Sequence, residues 1–84
     1  MSVPRLTLVT RARCHLCDVA KEALARVAEA TGEAWREVDV DSDPALLDEY
    51  WDRVPVILLD GVEHGYWRVE EDRLTRDLAR APGS

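Results

Sequence analysis

The spacing of apolar and polar positions changes from segment to segment along this chain. Arg5 to Thr10 contains Leu6, Leu8 and Val9, a short apolar run that suits a pleated strand buried on both faces. Over Cys17 to Thr31, with Leu16 just ahead, apolar positions recur every three or four residues: Leu16, Ala20, Leu24, Val27 and Thr31. Asp18, Lys21, Glu22, Arg26 and Glu29 fall on the opposite side, so the segment predicts an amphipathic helix, with Gly32 as its stop. Ala34 to Val40 then alternates, placing Val38 and Val40 on one face and Trp35, Glu37 and Asp39 on a wet one. That pattern predicts an edge strand.

The second half opens with Asp43-Pro44, an N-cap followed by proline at the first helical position. The short helix it starts should end near Trp51 and turn Leu47, Tyr50 and Trp51 to one face. Val54 to Leu59 reads as a strand with Pro55 near its start, and Asp60-Gly61 as the two-residue turn of a hairpin into Val62–Trp67. Glu70, Glu71 and Asp72 begin a last helix that runs to Arg76 and Arg80, so both ends complement the helix dipole, with Leu74 and Leu78 facing the core. Ala81 to Ser84 reads as a fraying tail. The order is βαβ, a helix, then ββα. A parallel right-handed crossover should join the first two strands, and an antiparallel hairpin the last two.

Eighty-four residues, 46% of them hydrophobic, suffice for one compact domain spanning the chain. No apolar run approaches the roughly 20 residues that cross a bilayer, and Met1 to Arg5 has no signal-peptide core, so a cytoplasmic protein with no membrane partner is expected. The formal charge of −6 and the lack of a basic stripe argue against nucleic acid as a partner. Arg5, Arg11 and Arg13 lie beside the cysteines in sequence while acidic residues fill the middle, which predicts a locally positive site on an acidic body.

The two cysteines, in Cys14-His15-Leu16-Cys17, sit between the first strand and the first helix. A disulfide between them closes a loop too short to stabilise much, about 2 kcal/mol against nearly 5 for a loop of 100 residues. A close pair in a reducing compartment is more often redox-active or metal-binding than structural. At a helix N-terminus, unpaired N–H groups and the positive end of the dipole favour the thiolate over the free thiol, whose pKa is about 8.5. The second thiol can then resolve a mixed disulfide formed at the first.

Cys14-His15-Leu16-Cys17, Arg53-Val54-Pro55-Val56 and the Asp60-Gly61 hairpin, in that order and spacing, resemble the thioredoxin fold and specifically the little-characterised bacterial glutaredoxin-like group. The resemblance covers nearly the whole chain and implies an α/β thioredoxin fold, βαβαββα, with a four-stranded mixed sheet flanked by helices. It implies that Cys14 is the exposed nucleophile, Cys17 the resolving thiol, and Pro55 cis. The backbone of Val54 would then face the cysteines, where its N–H and C=O could pair with a substrate backbone. Arg11 stands where glutaredoxins commonly carry a lysine that contacts a glutathione carboxylate, and His15, if protonated, would favour the Cys14 thiolate. The chain departs from the family pattern in three places. His15-Leu16 replaces Pro-Tyr or Pro-Phe, Arg53 replaces threonine, and His64 to Glu70 replaces the Gly-Gly-x-Asp segment that holds glutathione.

The leading expectation is a monomeric thiol–disulfide oxidoreductase that uses the Cys14/Cys17 couple to reduce disulfides of a protein or a small thiol. No tightly bound cofactor is expected. Glutathione, another low-molecular-weight thiol or a flavoprotein reductase would regenerate the dithiol. The alternatives are a module binding a bridging iron–sulfur cluster and a non-catalytic redox sensor or adaptor. Structural zinc is disfavoured, because it needs four ligands and the chain offers two cysteines with His15 and His64.

Overall fold

A computed structural model describes residues 4–80; the tail read over 81–84 lies outside them. Seven principal elements follow in the expected order: β1 (Leu6–Thr10), α1 (His15–Thr31), β2 (Trp35–Asp39), α2 (Pro44–Tyr50), β3 (Val56–Leu59), β4 (Val62–Tyr66) and α3 (Glu71–Leu78). A 3-10 turn, Val40–Ser42, leads from β2 towards α2. The strands form one sheet in the order β2-β1-β3-β4, with β1 parallel to β2 and antiparallel to β3, and β3 antiparallel to β4. This is the mixed sheet of the thioredoxin fold, and β2 is an edge strand as its alternation predicted.

Alternate residues of β1 and β3 build two separate cores. Leu6, Leu8 and Ile57 pack against Ala20, Leu24 and Val27 of α1 and Leu74 and Leu78 of α3. On the opposite face Val9 and Val56 meet Val40, with Leu46, Tyr50, Val54 and Leu58 packed around them. Because β1 contributes to both, all five of its residues are buried.

Three facial assignments need correction. Trp35, placed on the wet side of β2, packs against the α1–α3 core. Leu46 and Tyr50 are the inward residues of α2, whereas Leu47 and Trp51 are exposed. A seven-residue helix gives too few turns for periodicity to fix its rotation. Leu16 is also exposed, on the outer side of the first turn of a helix that starts at His15 and turns Cys17 inward. Strand β3 begins only at Val56, leaving Val54-Pro55 outside the ladder.

Candidate active site

The site begins where β1 ends. Arg13 takes a left-handed backbone conformation, φ 58°, and Cys14 returns to extended geometry as the N-cap of α1. In this position the Cys14 Sγ accepts a hydrogen bond from the Cys17 backbone N–H at 3.1 Å. The Cys14 carbonyl accepts the first helical bond, from Asp18 N–H. Cysteine thus fills the place that serine or aspartate usually takes at a helix start, with its sulfur at the positive end of the dipole.

Cys14 and Cys17 are disulfide-bonded, with their Cα atoms 5.1 Å apart. Their surroundings differ sharply. Cys17 is 1% exposed and packed into the base of α1, whereas Cys14 is only partly covered. An incoming group therefore reaches Cys14 first. His15 and Leu16 both lie exposed between them.

One wall of the site is an open cleft of about 360 Å³ lined by Arg11, Arg13, Cys14, Asp18, Lys21 and Glu37, among others. Its floor is a built network: the buried Thr10 hydroxyl donates to Glu37 Oε2 at 2.7 Å, and Lys21 Nζ lies 3.1 Å from the same oxygen. The Thr10 hydroxyl, with Lys21 behind it, holds the Glu37 carboxyl below the usual carboxylate range despite the opposing effect of burial. The cleft is therefore of mixed sign rather than the positive site that sequence neighbours suggested. Arg5 is not part of it: it sits at the other end of β1, bound to Asp60 and near Glu33.

The antiparallel register Val9↔Val56 brings the segment before β3 to the same end of the sheet as the cysteine loop. The Val54–Pro55 peptide bond is cis, as the resemblance implied, and the Pro55 carbonyl accepts the Trp67 N–H at 2.7 Å. The N–H and C=O of Val54 take no partner in the turns or ladders around them, among the described residues. Arg11 donates to the Trp51 carbonyl at 3.2 Å, tying the cysteine loop to the end of α2. Trp51, Leu16 and Trp67 are all more than half exposed. Sequence periodicity assigned Trp51 and Leu16 to buried faces, so this exposed apolar set escaped it.

Residues 5–79 match the profile of the Glutaredoxin-like domain (DUF836) family. The chain belongs to that family. An uncharacterized protein of Mycobacterium tuberculosis (strain H37Rv) is 44% identical over a gapped alignment of 86 positions that covers 96% of this chain and 89% of that one. Among solved structures, the XcR50 protein of X. campestris is 42% identical, with a TM-score of 0.72 over 92% of this chain and 99% of that one. The glutaredoxin-like protein NrdH-redoxin of Escherichia coli, described as having a thioredoxin-like activity profile, is 26% identical with a TM-score of 0.57, covering 93% and 99%.

For this glutaredoxin-like domain the remaining candidate ligands are easily placed. The His64 imidazole is mostly buried, its Nε2 2.7 Å from Asp77 Oδ2 of α3, and Arg73 donates to its carbonyl. Among the described residues no three His, Cys, Asp or Glu side chains converge where they could hold a metal ion. Among the same residues no helix is long and apolar enough to cross a membrane.

Proposed function

We propose that this glutaredoxin-like domain is a thiol–disulfide oxidoreductase in which Cys14 attacks and Cys17 resolves. The observation that carries the reading is the asymmetry of the pair: Cys14 is only partly covered and its Sγ accepts a helix N-terminal N–H, whereas Cys17 is buried. The same N–H and the dipole favour the Cys14 thiolate over its thiol, which is the condition for attack.

In the reductive direction the Cys14 thiolate attacks one sulfur of a substrate disulfide. The substrate S–S bond breaks, one substrate thiolate leaves and takes a proton from solvent, and a mixed disulfide forms at Cys14. Cys17, deprotonated, then attacks Cys14 Sγ. The mixed disulfide breaks, the second substrate thiolate leaves, and the Cys14–Cys17 disulfide remains. Two electrons have passed from the dithiol to the substrate. Glutathione, another small thiol or a flavoprotein reductase would return them in a reducing compartment such as the cytoplasm.

Arg11, His15 and the backbone of Val54-Pro55 are the proposed substrate contacts. Arg11 offers a guanidinium on the cleft side, and Val54 offers an unpaired N–H and C=O on the other. A polypeptide disulfide is the proposed substrate, in keeping with the likeness to a redoxin described as having a thioredoxin-like activity profile; the chain is proposed to act as a monomer.

The test pairs a polypeptide disulfide and a small aromatic disulfide with three donors: glutathione, a small-thiol alternative and thioredoxin reductase with NADPH. At least one donor should sustain turnover by the native chain. Cys14→Ser should abolish it, and Cys17→Ser should accumulate a mixed disulfide visible by intact mass. No turnover with any donor, together with a Cys14 that titrates like a free thiol, would refute the reading.

A further inference from the structure

Arg53 immediately precedes the Val54–Pro55 segment, and its guanidinium meets three parts of the fold at once. Nη2 donates to the Glu49 carbonyl in the last turn of α2 at 2.9 Å and to Glu63 Oε1 of β4 at 3.3 Å. Nη1 donates to Asp52 at 3.2 Å, and the group lies 5.5 Å from the Tyr50 ring centroid. A planar, always-charged fork can span such a set; a lysine ammonium offers one compact charge instead. Its Nε is buried with no partner, an arrangement that folded proteins seldom keep without a purpose. One residue later, the Val54 N–H and C=O have no partner among the described residues, and two residues later the Pro55 carbonyl is held by Trp67 N–H. The segment is therefore fixed at both ends with its middle peptide groups open.

We propose that Arg53 is a positioning residue: by clamping α2 to β4 it presents the free backbone of Val54 as a template for a polypeptide disulfide substrate. The inference rests on the oxidoreductase reading and deepens it by naming the substrate class that depends on this segment. A small disulfide has no backbone to pair, so its reaction at Cys14 does not use the clamp. Strand-like pairing draws its affinity from main-chain hydrogen bonds, and these tolerate little displacement of donor and acceptor.

The experiment compares the full chain with Arg53→Met, Arg53→Lys and Glu63→Gln, using a polypeptide disulfide and a small aromatic disulfide with the same donor. Arg53→Met should raise KM for the polypeptide by about tenfold, the scale of one main-chain hydrogen bond to the substrate lost, while its kcat and the small-disulfide rate stay within about twofold. Arg53→Lys should recover part of that loss, and Glu63→Gln should reproduce a smaller part of it. If Arg53→Met does not fold, Glu63→Gln and Arg53→Lys carry the same KM comparison. Unchanged KM in the variants, or a parallel fall of both substrates, overturns the clamp while leaving the oxidoreductase reading intact. A native chain inactive on both substrates overturns that reading instead.

Discussion

Gly61 has φ +83° and Asp60 has φ +54°, the pair of left-handed torsions that a two-residue hairpin turn requires. A Cβ added at Gly61 meets nothing within 4 Å, so the cost of Gly61→Ala is purely that of the backbone. The substitution should lower unfolding free energy by about 1–2 kcal/mol in a urea titration, without altering the rate of Cys14 with a small disulfide. This turn was legible because its requirement is local: two adjacent residues suffice to state it. Arg5 and Arg53 were not legible in the same way. Arg5 binds Asp60 and the Arg80 carbonyl, 55 and 75 residues away, and Arg53 joins its near neighbours Glu49 and Asp52 to Glu63, 10 residues on, so the distant partners that give each its role are not visible beside it in sequence.

At the scale of elements, all four strands and three helices could be read, because hydrophobic period and punctuation agree for each. Asp43-Pro44 shows this best: the Asp43 carboxylate accepts the Ala45 N–H at 2.9 Å, ahead of a helix that starts at Pro44. Asp43→Ala should therefore cost about 1 kcal/mol, seen as a lower denaturant midpoint at unchanged slope. An unchanged midpoint would mean that packing of Leu46 and Tyr50 alone holds this helix. The rotation of α2 was not readable, since Leu46 and Leu47 are equivalent in composition and only the second core, built by Val9, Val40 and Val56, chooses between them. The same holds for Trp35, whose polar strand neighbours hid its inward turn. The candidate site was half legible. The cysteine motif and Pro55 stood out, but the exposed Trp51 and the Thr10–Glu37–Lys21 floor depend on how β1, α1, β2 and α2 are brought together.

At the scale of the whole molecule, five carboxyls among the described residues are held below their ordinary range by hydrogen bonds. Thr10 acts on Glu37, Arg5 on Asp60, Arg73 on Glu70, Arg26 on Glu71 and His64 on Asp77. As pH falls through about 4, the unfolded chain takes up protons at these groups before the folded chain does. Their stabilisation is thus complete above that range and is lost as pH falls through the lowered folded values. Urea midpoints should hold from about pH 7 to pH 5 as far as these groups decide, then drop towards pH 3, and Asp60→Asn should flatten that drop. A midpoint unaffected at pH 3 would show that these pairs do not contribute. One of them also bears on how the chain is made. The Arg5 guanidinium binds Asp60 and the carbonyls of Leu78 and Arg80 together. During synthesis from the N-terminus, an early-made residue must therefore wait for Arg80 to leave the ribosome before its corner of the domain can close. Until then the α1 face stays open where α3 will cover it, and that interval is when the nascent chain most needs shielding from other chains.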